Sequence, residues 1–226
     1  MRLKKYPALD YAAIELDCCD AVPVMDESSV RLSIPTGYRE QIEFIQSGYM
    51  LADRTIEVKV SVKKNKTDFQ KFCRMPVEFA PSKKEEVFKL AKKSFNGDHR
   101  FRVNFDLHDE KIYEGLLRQW VEEQTDIFIC NYKDILAGFA DIRFPEEYSG
   151  APFVYLAAVD DTYRTSGAAM SLYASVFQHM KEKGYHYVYG RISSKNMAVM
   201  NLYASFGAVF AKPYDIYIKY RGDINA

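Results

Sequence analysis

What this 226-residue chain lacks narrows its class before any motif is read. It carries no net charge, because 31 lysine and arginine side chains balance 31 aspartates and glutamates. No overall field therefore points to nucleic acid or an anionic membrane as partner. No apolar window approaches the length needed to span a bilayer. The start, Met1 to Tyr6, is basic but has none of the apolar core of a signal peptide. Cysteine is scarce. Cys18 and Cys19 are adjacent, while Cys73 and Cys130 stand alone, a spacing that makes neither a metal site nor a disulfide framework. The expectation is a protein of the reducing cytoplasm, monomer or homodimer, with no metal. Neither the dinucleotide nor the Walker glycine pattern follows any apolar run, which excludes both of those phosphate-binding modes. No internal repeat recurs at a fixed period.

What is present is enough apolar sequence to bury a sizeable core, in a pattern that divides near residue 75. In the first part, Val30 to Ile34 alternates as a strand and ends at the turn Pro35-Thr36-Gly37. Tyr38 to Ser47 places Ile42 and Ile45 on one helical face, closed by Gly48. Ile56, Val58, Val60 and Val62 then alternate with polar residues as a half-buried strand. Residues 1–75 read as a small N-terminal α/β lobe, and residues 76–226 as a second unit. There, Ser82 and Glu85 have capping-box spacing ahead of a helix with Val87, Leu90, Ala91 and Phe95 on its inner face. Asn96-Gly97-Asp98 ends it, and His99-Arg100-Phe101 enters a loop. Asp109 caps the next helix, whose Ile112, Leu116, Leu117 and Trp120 face inward. Ile127 to Tyr132 and Ile135 to Phe144 read as strands joined by Lys133-Asp134, with Gly138 marking a bulge. Ala208 to Tyr220 supplies closing strands around Lys212-Pro213.

The informative stretch is Phe153 to Gly207. An apolar run, Phe153 to Val159, is too short for a buried helix and reads as a buried strand. The turn Arg164-Thr165-Ser166-Gly167-Ala168-Ala169 leads into a helix with Met170, Tyr173, Val176, Phe177 and Met180 at helical spacing, stopped by Gly184. Tyr185 to Ile192 reads as a second strand, and Asn196 starts a short helix closed by Gly207. A helix N-terminus offers unpartnered N–H groups and partial positive charge. With Ser166, Gly167, Ala168 and Ala169 all small, a diphosphate can approach that main chain, and Arg164 can add a charge-assisted contact.

The pair of segments, Arg164-x-x-Gly167-x-Ala169 and then Asn196…Leu202-Tyr203…Gly207, resembles the Gcn5-related N-acetyltransferase (GNAT) family. The resemblance extends over the core from about residue 76. It implies a mixed, mostly antiparallel α/β sheet with helices on both faces, and acetyl-CoA as co-substrate with a small-molecule amine as acceptor. It implies that Arg164, Thr165, Ser166, Gly167, Ala168 and Ala169 hold the coenzyme's pyrophosphate. Asn196 would lie along the pantetheine arm, the backbone of Ala157, Ala158 and Val159 would grip that arm and polarise the carbonyl, and Tyr203 would be the general acid. Thr165 stands where members commonly have Gly, and Asp161 where they often have Pro, so an altered loop is expected. A further resemblance, to the branch that acetylates dTDP-4-amino-sugars such as dTDP-fucosamine, rests on Gly48-Tyr49…Asp53-Arg54-Thr55, on Ala91…Phe95 with Arg100-Phe101, and on Tyr113…Trp120.

The residues alone leave the general base open. His99, His108, His179 and His186 are scattered; Asp141, on a strand flanking the expected cleft, is a candidate. Transfer of a different acyl group, transfer to a peptide or protein amine, and non-catalytic coenzyme A binding stay open as alternatives. The acceptor pocket is expected from the N-terminal lobe and the loops at 96–102 and 144–152.

Overall fold

The computed structural model describes residues 1–16, 20–27, 29–37, 41–95, 110–123 and 126–220. In chain order the elements are β1 (Arg2–Tyr6), β2 (Tyr11–Glu15), β3 (Ser29–Pro35), α1 (Gln41–Gln46), β4 (Met50–Ser61), β5 (Val77–Phe79) and α2 (Lys84–Ser94). Then follow α3 (Glu110–Glu122), β6 (Asp126–Tyr132), β7 (Ile135–Arg143), β8 (Phe153–Val159), α4 (Ala168–Glu182), β9 (Tyr187–Ser193), α5 (Met197–Ser205) and β10 (Val209–Tyr220).

The ten strands among the described residues join one sheet in the order β1-β2-β3-β10-β4-β9-β8-β7-β6-β5. Only β2–β3 and β8–β9 pair in parallel; the other ladders are antiparallel. The sheet is thus mixed and mostly antiparallel, with helices on both faces. On one face α4 and α5 bury Leu172, Phe177, Tyr203 and Phe206 against Val58, Val60, Phe128 and Ala140. On the other, α2 and α3 bury Val87, Ala91, Leu117 and Trp120 against Ile127, Phe139 and Leu156.

The strands before residue 75 do not form a sheet of their own. β4 lies between β9 and β10, pairing Val58 with Gly190 and Asp215 with Arg54. Its alternation explains why: Val58, Val60 and Val62 are fully buried under α4 and α5, while Glu57 and Lys59 point to the opposite face. β1 also reaches the later elements, since Trp120 Nε1 of α3 donates to the Tyr6 hydroxyl at 3.0 Å.

Local chemistry accounts for most boundaries. Lys133 and Asp134 both have positive φ, 48° and 65°, as a two-residue hairpin turn requires between β6 and β7. The register shift beyond Cys130 places the bulge beside Gly138, where an added Cβ would meet the Ala158 carbonyl at 2.9 Å. Three expectations need correcting. The Ser82–Glu85 capping box does not form, because a turn from Ala80 to Lys83 makes Lys83 the N-cap, without a side-chain cap. On α1 it is Phe44 that packs, stacked on Tyr217 at 4.5 Å, and Ile42 and Ile45 are exposed. The chain closes with one long strand, β10, with a register shift between Phe210 and Pro213 rather than a break. The Asn96–Asp98 helix stop, the His99–Phe101 loop and the Asp109 cap lie outside the described residues.

Candidate active site

β8 and β9 stay paired only at Phe153–Tyr189 and Val154–Gly190. Beyond Val154 they part, although β8 continues to Val159 and β9 to Ser193. From Tyr155 onward, β8 keeps β7 on one side and has no ladder partner in β9 on the other. A fork of this kind leaves backbone donors and acceptors for a ligand, because strand groups left unpaired in a protein's interior need another partner. A cavity of about 720 Å³ opens at the fork and runs to both faces of the sheet.

On the α4/α5 side, Ala157 and Val159 line the cavity together with Arg164, Ala169, Asn196 and Tyr203, while Ala158 lines it from the face packed against α2 and α3. α4 begins at Ala168, with Gly167 as N-cap at φ 86°, a left-handed conformation that suits glycine. The first helical bond runs from Ser171 N–H to the Gly167 carbonyl, 2.9 Å. The Ala169 and Met170 amides stand ahead of it, where a helix has no carbonyls left to offer. No atom comes within 4 Å of where a Gly167 Cβ would sit, so the approach is clear.

The turn residues do different jobs. The Ser166 hydroxyl donates to the Tyr163 carbonyl at 2.7 Å and accepts from the Ala168 amide at 3.3 Å, so it braces the turn. Thr165, Ser166 and Gly167 are exposed. The Ala168 side chain points the other way and is fully buried in the core, so only its main chain belongs to the corner. Arg164 is exposed and pairs with Asp161 at 2.6 Å. Such a surface pair is worth little, so the guanidinium is readily redirected to an anion.

Tyr203 sits where the strands part. Its ring lies in the core against Tyr173, with centroids 5.3 Å apart, and an added Cβ at Gly190 would fall 2.7 Å from its hydroxyl. Gly190, the last position of β9 paired with β8, therefore leaves the space that the hydroxyl occupies. Burial, and then the neighbouring Tyr173, push the Tyr203 phenol well above its ordinary pKa, so it remains protonated and able to donate. The Asn196 Oδ1 caps α5 by accepting from Val199 N–H at 3.1 Å, which leaves its amide nitrogen as a donor.

In the other half of the cavity the sequence singled out Asp53 and Phe95 only by resemblance, and the remaining residues were not legible. That half is lined by Asp53, Lys93, Ser94, Phe95, Tyr155, Arg191 and Ser193. Three of these carry a buried polar atom with no hydrogen-bond partner among the described residues: Asp53 Oδ2, Ser94 Oγ and Arg191 Nε. An unsatisfied buried group costs about 1–3 kcal/mol, so three around one cavity is a concentration of cost that a ligand would relieve. The signal available was a charged residue, Asp53, at the head of a strand that is otherwise patterned for burial.

Asp141 does not belong to this cavity. It is buried under α2 and α3, bonded to Arg143 Nε at 3.0 Å, and burial pushes its carboxyl up to about 6. His179 packs edge-on to Phe128 at 5.1 Å, and His186 Nε2 lies 3.0 Å from Lys63 Nζ, so neither reaches the fork. His99 and His108 lie outside the described residues.

A forked mixed sheet with a bare helix start and a buried tyrosine at the fork is the frame of an acetyltransferase. The model of the acetyltransferase (GNAT) family matches residues 85–208, more than half of the chain, and the chain belongs to that family. A functionally unknown conserved protein from Staphylococcus epidermidis ATCC 12228 has the same fold, with a TM-score of 0.60 at 12% identity over 86% of this chain and 73% of that one. A GCN5-related N-acetyltransferase from Sphaerobacter thermophilus gives 0.57 at 14% identity, over 85% of this chain and 60% of that one. A GNAT-family acetyltransferase from Colwellia psychrerythraea gives 0.54 at 13% identity, over 85% and 65%. The chain thus spans less than two thirds of the latter two. At such identities the likeness is one of fold alone. No curated protein matches the sequence significantly.

Proposed function

We propose that this chain transfers an acetyl group from acetyl-CoA to the primary amine of a small molecule, by direct attack of the amine on the thioester. The observation that carries the reading is the fork between β8 and β9, which joins the bare start of α4 to a polar chamber through one cavity. A nucleotide-linked amino sugar is within the range of acceptors this reading admits.

When bound, acetyl-CoA supplies an acyl carbon activated as a thioester. The amides at Gly167, Ala169 and Met170, with Arg164 from the edge, suit its diphosphate: the corner is uncovered and carries helix-end positive charge. Asn196 and the unpaired edge of β8 at Ala157, Ala158 and Val159 suit the amide-bearing arm, which needs donors and acceptors in alternation. Tyr203 holds its proton at the hydroxyl oxygen beside Gly190 and gives it to the departing sulfur. An ordinary thiol titrates near 8.5, so a thiolate leaving group takes a proton readily near neutrality. Loss of one such acid typically lowers the rate by about 10²–10⁴.

The test is thiol release from acetyl-CoA across a panel of primary amines, alongside calorimetric titration of acetyl-CoA. Amine-dependent release with saturable acetyl-CoA binding is expected. Tight binding with no release on any small or peptide amine would leave a coenzyme-binding protein without turnover, and no binding at all would remove the reading.

A further inference from the structure

We infer that Asp53 is the acceptor-binding carboxylate of this enzyme: it receives the ammonium group of the incoming amine and takes its proton. This rests on the acetyl-transfer reading for its purpose, but the binding it requires stands without it.

Asp53, Thr55 and Glu57 alternate onto one face of β4, and Arg191 and Ser193 onto the same face of β9, with Thr55 opposite Ser193 and Glu57 opposite Arg191. That is the face away from α4 and α5, so an acceptor bound there meets the fork from the side opposite the bare helix start. Asp53 is 3% exposed yet lines the cavity. Its Oδ1 is held firmly, accepting from the Arg54 amide at 2.8 Å and from the Ser193 hydroxyl at 3.0 Å. Its Oδ2 has no partner. A carboxylate fixed by one oxygen and left bare at the other is organised to bind something that is absent from the protein itself.

Most of the surrounding cations are paired elsewhere, so they do not neutralise Asp53. Among the described residues the cavity holds two carboxylates, and the other, Asp161, is engaged by Arg164 at 2.6 Å. The neighbouring cations are already answered: Arg191 by Glu15 at 2.6 Å, Lys93 by Asp160 at 2.7 Å, and Arg54 by Asp215 at 2.6 Å. Lys195 also lines the cavity, at the start of α5. Arg191 Nε and Ser94 Oγ lack partners and can bond to oxygens elsewhere on the same ligand. The set fits a small primary amine that carries hydroxyl or carbonyl oxygens a few bonds from the nitrogen, and it disfavours a purely hydrocarbon amine.

In the chemical step one N–H bond of the ammonium breaks. Its electron pair stays on nitrogen and an O–H bond forms at Asp53 Oδ2. The lone pair then makes the N–C bond as the C–S bond breaks, and the sulfur takes the Tyr203 proton. The second N–H proton restores Tyr203, and the proton on Asp53 passes to solvent. No other reactant is consumed.

The experiment uses the full chain without coenzyme, titrated by calorimetry with glucosamine hydrochloride and, as the neutral counterpart, glucose. The expected result is a preference of tenfold or more for glucosamine, lost in Asp53→Asn, which keeps the Oδ1 acceptor for Arg54 and Ser193. Ser193→Ala, which frees the carboxylate without removing it, is expected to cut the preference about threefold. Equal binding of the two probes by the wild type, or an undiminished preference in Asp53→Asn, overturns the proposal. Acetyl-CoA titrated into the same samples separates the two readings: its affinity stays within twofold in Asp53→Asn. A chain that binds glucosamine through Asp53 but no acetyl-CoA at all would sink the transferase reading and leave the carboxylate's role in binding.

Discussion

The two halves of the cavity are built by different means. The half against α4 is made mostly of main chain: an uncovered helix start, the unladdered edge of β8, and small residues that keep out of the way. The half against β4 and α2 is made of side chains, Asp53, Ser94 and Arg191, each with a polar atom left unanswered. A main-chain corner needs only small residues and a helix phase, so it is written locally in sequence. A side-chain chamber is assembled from elements far apart in the chain, and its meaning appears only when they meet.

The sharpest break of this comparison is Tyr203→Phe, at the boundary between the halves. It removes the proton donor and nothing of the packing, so turnover should fall by about 10²–10⁴ while acetyl-CoA affinity stays within twofold. Unchanged turnover with the best amine would return Tyr203 to a core residue.

Next comes Gly167→Glu, which should weaken acetyl-CoA binding by roughly 100-fold in a calorimetric titration, through a carboxylate placed against a diphosphate. The space around a Gly167 Cβ is open, so the conflict is one of charge and of a φ of 86° that glutamate resists, not of overlap with the protein. Amine binding at Asp53 should not change.

The fold was legible where one element suffices and illegible where two must meet. Val58, Val60 and Val62 announce a strand with a buried face, yet nothing near them says that the strand enters the sheet between β9 and β10. Tyr203 and Gly167 were legible because motif spacing carries them. Gly190 was not, because its role is to leave room for a hydroxyl from another element. Ala168 shows the limit of reading size alone: smallness serves the corner and the core equally, and its side chain went to the core. Ser82 had the right partner spacing for a cap, but the turn after Ala80 shifted the helix start past it.

A smaller effect tests whether Asp141 stands apart from both halves. Burial raises its carboxyl from 3.8 to about 6 despite Arg143. Between roughly pH 4 and 6 the folded protein keeps a proton that the unfolded chain has released, so this group's contribution to stability falls as pH rises and is fully lost above that window. Asp141→Asn should remove that component. The drop in unfolding free energy between pH 4 and 7 should shrink by about 1–3 kcal/mol relative to wild type, read by urea melts. Acetyl-CoA affinity should be unaffected; a change would place Asp141 in the site after all.

The smallest is Asn196→Ala, which deletes the α5 cap and should cost about 1 kcal/mol of stability. If Asn196 also donates to the coenzyme arm, acetyl-CoA affinity falls with it; stability loss alone would make it a cap and nothing more.

The most direct test of the account is a crystal structure of this chain with coenzyme A. The diphosphate is expected within hydrogen-bond distance of the Gly167, Ala169 and Met170 amides, with the sulfur lying between β8 and the Tyr203 hydroxyl. Coenzyme A bound in full density away from the β8–β9 fork would contradict it.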